Sequence, residues 1–397
     1  MVSRLSLLFA LCLCLAGCGR ESEAAAEPAA LIAAPAPLVA VQDLPGLNER
    51  LERDAASGAF SGGVLVARGD QVLFRQVYGL ADREADAPLT LDSRFRLASV
   101  SKQFTAAAIL KLQDQGVLSV DDPVCRWVRP CNPAWSEVTL HHLLSHTSGI
   151  PDLMQQANWG LVRVTPKTPA QLTATTAEYR PSFEPGSRIR YSNAGYNLLG
   201  VVVEAASGRP LDQYLRETFF EPLGMADTGL GDDPDSDKLA MGYANFPAGV
   251  TAQPNYNPSI IFASGAMYST LDDLLRWNRA LHRGGLLSAR SYGQMIAAHN
   301  PPDEPGQRGR PPRDFGYGLF TAPLGGRVRP GFYDPQIYHT GSWSGFRNLV
   351  TYQPGADVTV IVLANNFHQR EAVLMISQLA MAEALGRPLP ESLARDG

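Results

Sequence analysis

Strand-like segments stand at the two ends of this chain's body, and helix-like segments fill the long stretch between them. Near the start, Val64-Leu65-Val66-Ala67, the turn Arg68-Gly69-Asp70-Gln71 and Val72-Leu73-Phe74 spell a hairpin. Near the end, Gly316–Phe320, Tyr338–Tyr352 and Val358–Ala364 are strand-like again. Between them, residues 102–115 carry Phe104, Ala108, Leu112 and Gln115 in helical register and stop at Gly116. Residues 195–207 and 271–283 are further helical runs. Residues 43–57, with Leu44, Leu47, Leu51 and Ala55 on one face, and residues 370–385 add a helix at each end. The expected fold is α/β of the α+β type, an antiparallel sheet built from both chain ends and flanked by helices, with an inserted, mostly helical lobe. Residues 43–96 together with 310–397 would form the sheet domain and 97–309 the lobe. Residues 301–314, with five prolines and three arginines, are expected to be a surface loop.

Ahead of this body lies an address. Met1 to Arg4 carries one positive charge, and Leu5 to Ala16 is apolar except for Ser6. That run is too short to span a bilayer, which takes about 20 residues, and has the shape of a secretory signal over residues 1–17. It ends Leu15-Ala16-Gly17-Cys18, which resembles the lipobox of bacterial lipoproteins. The resemblance implies acylation of Cys18, and Gly19 after it points to the periplasmic face of the outer membrane. Residues 18–42, rich in Ala and Pro, then read as a tether. The alternative is a plain signal peptide with Cys18 incidental.

The chain has 397 residues and a net charge of −5, and loss of the signal removes Arg4 and no acid. A nucleic-acid partner would call for a basic excess. Cys125 and Cys131, six apart in a Pro-rich loop of an exported protein, read as a local disulfide. Two reduced thiols are the alternative, and a zinc site would have only His141 and His142 to add.

Only four lysines occur, Lys102, Lys111, Lys167 and Lys238. One of them stands in Ser99-Val100-Ser101-Lys102, the single Ser-x-x-Lys in the chain. Three residues apart at a helix start, the two side chains share a face. A partly desolvated lysine can take the proton of a serine hydroxyl, which is a poor nucleophile without a base. The plain alternative is a helix cap with a solvated lysine. Tyr191-Ser192-Asn193 offers a phenol for general-base work and an amide for a substrate or the lysine. Tyr243-Ala244-Asn245 repeats the pattern, but only the first stands in an exposed loop before a helix, and Tyr243 is expected to be a packed loop aromatic. His339-Thr340-Gly341 opens a strand-like run where glycine permits close approach, and the N–H of Ser342 follows.

In order and in separation, 92 residues from Ser99 to Tyr191 and 148 from Tyr191 to His339, these motifs resemble the serine β-lactamase-like superfamily. It includes penicillin-binding DD-peptidases, class C β-lactamases and lipolytic esterases of the same fold. Leu118–Pro123, Leu143-Leu144-Ser145-His146-Thr147-Ser148-Gly149-Ile150 and Gly265–Thr270 are similar to the family too. The resemblance implies an acyl-enzyme on Ser99 formed without metal or cofactor, Lys102 and Tyr191 as proton carriers, and Asn193 as substrate and lysine partner. It further implies that His339, Thr340 and Gly341 form the strand edge beside the acyl chain, and that the N–H groups of Ser99 and Ser342 form an oxyanion hole. The substrate would be a small molecule or peptide: a D-alanyl peptide, an ester or a β-lactam.

One departure bears on substrate. Class C β-lactamases have lysine where this chain has His339, and imidazole is mostly neutral at pH 7. Substrates bearing a carboxylate are then expected to fare poorly near neutral pH unless Arg347 supplies the charge. No Gly-x-Ser-x-Gly elbow occurs. His142 and His146 have the spacing of a zinc helix without its Glu, and His146 reads as a buried structural residue. Trp343, Tyr338 and Phe346 would line an apolar acyl pocket or simply pack in the core. The rival function is a catalytically inactive cell-wall or partner-binding protein on the same fold.

Overall fold

A computed structural model describes residues 44–233, 235–253, 257–302, 304, 314–323 and 335–388. The signal 1–17, Cys18, the tether 18–42 and most of the 301–314 loop lie outside the described residues. Helix α1 (Pro45–Ala56) starts on a proline, which costs nothing at a position whose N–H has no partner within the helix. Strands β1 (Gly62–Arg68) and β2 (Gln71–Tyr78) form the expected hairpin. The chain then enters the lobe, whose main helices are α2 (Lys102–Asp114), α3 (Asn193–Ser207) and α4 (Leu271–His282). It returns through β3 (Asp314–Phe315), β4 (Phe320–Pro323), β5 (Pro335–Trp343), β6 (Phe346–Gln353) and β7 (Val358–Ala364), then α5 (Arg370–Ala384).

All seven strands join one antiparallel sheet in the order β3-β4-β5-β6-β7-β1-β2. Pairing of β1 with β7, from Gly62 opposite Ala364 to Arg68 opposite Val358, stitches the two chain ends together. Alternation along the strands sorts side chains into two cores. Leu65, Ala67, Val350, Tyr352, Ile361 and Leu363 enter the larger one, shared with the lobe helices. Val64, Val66, Leu349, Val360 and Val362 enter a smaller one with α1 and α5. Burial on both faces explains why β1 and β7 read as unbroken apolar runs.

Two strand expectations need correction. Gly316–Leu319 is a turn, and the strand begins only at Phe320. Gly318 there has φ 67°, and a Cβ on it would lie 2.6 Å from the Lys102 carbonyl oxygen. The chain crosses too close to the start of α2, in the wrong conformation, to be a strand. The run Tyr338–Tyr352 is two strands folded back at Ser344 and Gly345, with φ 89° at Gly345. Tyr243 is packed as expected, but it opens the short strand Tyr243–Phe246 and is not in a loop, with its hydroxyl on Glu84.

The two chain ends are also tied by a carboxylate. Glu383 of α5 accepts the N–H groups of Gly46 (2.9 Å) and Leu47 (2.7 Å) in the first turn of α1. An anion at a helix N-terminus meets both orphan donors and the helix dipole. Glu383→Ala is expected to lower stability by about 1–2 kcal/mol in chemical denaturation; an unchanged midpoint would contradict this tie.

Candidate active site

Ser99 sits where the short strand Phe95–Arg96 turns into the 3-10 turn Ala98–Ser101 that leads into α2. The turn is forced. Ala98 has φ 52°, a left-handed conformation that costs an L-residue about 1–2 kcal/mol. Four hydrogen bonds hold it. The Leu97 N–H donates to the Met267 carbonyl (2.8 Å), the Met267 N–H to Ser101 Oγ (3.2 Å), and Asn348 Nδ2 to the carbonyls of Arg96 (2.8 Å) and Leu97 (3.2 Å). The side motif Gly265–Thr270 thus braces the turn from behind, and Ser101 is part of that brace and not a helix cap.

Lys102, first residue of α2, has no solvent exposure. Its Nζ is 2.7 Å from Asn193 Oδ1, 2.7 Å from the Ser264 carbonyl and 3.3 Å from Ser99 Oγ. A solvated lysine is therefore excluded. Burial drives the Lys102 pKa down to about 7, against the opposing charge of Asp152. The two oxygens match the two N–H bonds of a neutral amine and leave its lone pair toward Ser99. The Ser264 carbonyl is itself placed by Asn197, whose Oδ1 accepts the Ser264 N–H (3.1 Å). Gly200 lets the helix Phe262–Gly265 lie against α3, since a Cβ there would be 2.4 Å from Ala263 Cβ.

Tyr191-Ser192-Asn193 is the N-terminus of α3. Ser192 Oγ accepts the Gly195 N–H (3.2 Å), and Asn193 is the first helical residue. The segment is less exposed than expected: Ser192 is buried and Tyr191 half-buried. Lys102 Nζ lies 4.8 Å from the Tyr191 ring centre. His146, left-handed at φ 62°, stacks on Tyr191 with ring centres 4.3 Å apart. Its Nδ1 accepts the Ser192 N–H (3.2 Å), so that nitrogen carries no proton. Burial, then Lys102 and His339, hold His146 well below its usual pKa. His142 makes its own local bond to Thr139 (3.1 Å), and the two histidines do not converge.

On the sheet side, a Cβ on Gly341 would lie 2.2 Å from the Leu97 carbonyl oxygen. Glycine there lets β5 press against the Ser99 turn. Pairing with β4 stops at Tyr338, so His339–Trp343 runs on past it. His339 is buried, its Nδ1 2.7 Å from the Thr340 carbonyl. Ser99, Asn193 and Ser342 line one small open cleft with Met154, Ile261 and Trp343. Tyr338 and Phe346 belong to the cores instead. Arg347 is engaged elsewhere, its Nε on the Phe367 carbonyl (2.7 Å) and its guanidinium 4.1 Å from that ring's centre. Away from the cleft, Cys125 and Cys131 form a disulfide with Cα atoms 5.5 Å apart.

Several neighbours had no sequence signal as site residues. Asp152 bonds Asn193 from 41 residues away (2.8 Å), the Ser264 contribution is a backbone carbonyl, and Trp159 meets Trp343 edge-on at 6.5 Å. Only folding brings these together; no spacing rule encodes them.

A serine facing a buried lysine, with a tyrosine and an asparagine beside it, is the constellation of a serine hydrolase working without a histidine base. The chain belongs to the beta-lactamase family, whose model matches residues 47–382; this is a family of serine hydrolases on a β-lactamase fold. Penicillin-binding protein 4* of Bacillus subtilis is 30% identical over 344 residues, covering 83% of this chain and 73% of that protein. Esterase EstB of Burkholderia gladioli is 32% identical over 342 residues, covering 77% and 86%. The octameric penicillin-binding protein homologue from Pyrococcus abyssi superposes with a TM-score of 0.73 at 28% identity, covering 87% of this chain and 78% of that one.

Gly341→Ala tests the packing of β5 on the Ser99 turn. It should destabilise by about 2 kcal/mol or more and cut turnover at least about tenfold. Wild-type melting and turnover together would contradict the close approach.

Proposed function

We propose that this protein hydrolyses uncharged acyl substrates, esters foremost, through an acyl-enzyme on Ser99. The observation that carries the reading is the fully buried Lys102, 3.3 Å from Ser99 Oγ and with a pKa of about 7. As a free amine it takes the Ser99 proton while Oγ attacks the substrate carbonyl carbon. The oxyanion so formed is met by the N–H groups of Ser99 and Ser342, which line the same cleft. Tyr191 passes a proton to the leaving group as the carbonyl–leaving-group bond breaks. It then takes one from the water that attacks the acyl carbon, and as the acyl–Oγ bond breaks Lys102 returns its proton to Ser99 Oγ. A protein that only binds has no use for a desolvated lysine aimed at a serine.

The preference for neutral substrates rests on charge. Among the described residues lining the cleft, none carries a fixed positive charge. His339 stands where class C enzymes place a lysine, and Arg347 is held by Phe367. Met154, Ile261 and Trp343 offer apolar wall to an acyl group. Likeness to an esterase at 32% identity agrees. A D-alanyl peptide is the second reading, favoured by the stretch of β5 beyond the end of its pairing with β4, where an extended peptide would add. The sequence around Cys18 supports a lipid anchor and an outer-membrane address, and the Cys125–Cys131 disulfide suits an oxidising compartment.

For a p-nitrophenyl acyl ester, kcat/KM should climb with pH through about 7 as Lys102 loses its proton, then level off, and Ser99→Ala should abolish turnover. Benzylpenicillin, which bears a carboxylate, should react more slowly than the ester at pH about 8, since among the described residues lining the cleft none carries a fixed positive charge. A profile flat from about pH 5.5 to 8.5, or full activity in Ser99→Ala, would contradict the mechanism.

A further inference from the structure

We propose that Asp152 is a positioning residue: its carboxylate holds the Asn193 amide the one way round that lets Asn193 fix the Lys102 nitrogen against Ser99. This rests on the reading of Lys102 as the group that takes the serine proton.

Asp152 is 5% exposed and caps the 3-10 turn Leu153–Gln155. Its two oxygens serve different donors, Oδ1 the Met154 N–H (3.2 Å) and Oδ2 the Asn193 Nδ2 (2.8 Å). At the other end of that amide, Asn193 Oδ1 accepts from Lys102 Nζ (2.7 Å). An amide has one donating and one accepting end, and an ionised carboxylate only accepts. Rotated by half a turn, Asn193 would set its oxygen against the carboxylate and its NH2 against the amine, losing both bonds. Its remaining contact, Met154 Sδ at 3.3 Å, is a weak acceptor and cannot choose the orientation alone. The carboxylate therefore sets a polarity that runs Asp152, Asn193, Lys102, Ser99.

The titratable groups around Lys102 come from three segments. Tyr191 and Tyr196 face it from α3 and the residue before Ser192, with ring centres 4.8 and 5.4 Å from Nζ. The Tyr196 hydroxyl is spent on the Leu144 carbonyl (2.8 Å). His146 acts on it from beyond the helix Leu140–Leu144. Asp152 is the carboxylate among them, and its charge opposes the effect of burial on Lys102. Burial pushes the Asp152 carboxyl itself upward, against the Met154 and Asn193 donors and Lys102. Removing the carboxylate then has two consequences that a packing residue would not share. Asn193 loses its orientation, and Lys102 holds its proton less firmly.

The test compares pH profiles of ester hydrolysis for wild type, Asp152→Asn, and Asp152→Ser, which keeps an oxygen for the Met154 N–H should the first variant not fold. In an asparagine at 152, one of the two donors must meet an NH2. The expected result is kcat lower by about tenfold or more, KM within about threefold, and an acidic limb displaced downward by about half a pH unit or more. Adding Asp152→Asn to Asn193→Ala should cost no further kcat on the pH plateau, since the orienting effect of both passes through one amide. Wild-type kcat in the variants, an unmoved limb, or additive losses in the double variant would overturn the proposal while leaving Lys102 as base. A wild-type profile with no limb near pH 7 would overturn both.

Discussion

A lysine with no access to water is the constraint around which the rest of this molecule is arranged. Burying an ammonium without partners is costly enough that the group gives up its proton instead. A neutral amine is easy to bury if two acceptors meet its N–H bonds, and Asn193 Oδ1 and the Ser264 carbonyl do so at 2.7 Å each. Those acceptors come from the start of α3 and from the helix Phe262–Gly265, 91 and 162 residues away. Their meeting needs Gly200 for close packing and Asn197 to orient the Ser264 peptide. The lobe's internal packing and the chemistry of one nitrogen are thus a single requirement.

The sheet supplies the other wall. Pairing of the chain ends sets β1 beside β7 in the sheet, and β5 reaches the Ser99 turn because Gly341 lacks a Cβ. Asn348 on β6 ties the carbonyls of Arg96 and Leu97 to the sheet. The strained Ala98 is held between these contacts and the Met267–Ser269 strand, which is where a left-handed alanine can be sustained. The cleft lies at the junction of sheet and lobe, so neither part alone forms it.

Much of this was legible in the sequence, for physical reasons. Apolar runs in β1 and β7 mark strands buried on both faces, and 3.6-residue periodicity marks α1 and α2. Ser99, Lys102, Tyr191, Asn193 and His339 are side chains whose type and order carry chemistry, and folding brings the first four together around one nitrogen. What escaped had no such signature. The Gly316–Leu319 turn comes from a close approach to the Lys102 carbonyl, and the break at Gly345 is one left-handed residue inside an apolar run. Asp152 acts through an amide 41 residues away. The Ser264 contribution is a carbonyl that any residue could have provided. Tyr338 and Phe346 looked like pocket residues, but alternation along β5 and β6 turns them into the two cores.

Ser99 chemistry depends on the protonation of Lys102, and the chain makes that directly observable. With four lysines in the whole sequence, 13C-labelled lysine would give four sets of Cε signals to follow by NMR against pH. One signal, absent in Lys102→Met, should titrate near pH about 7. That same signal titrating near about 10.4, the ordinary lysine value, would contradict a neutral amine at the serine and the mechanism built on it.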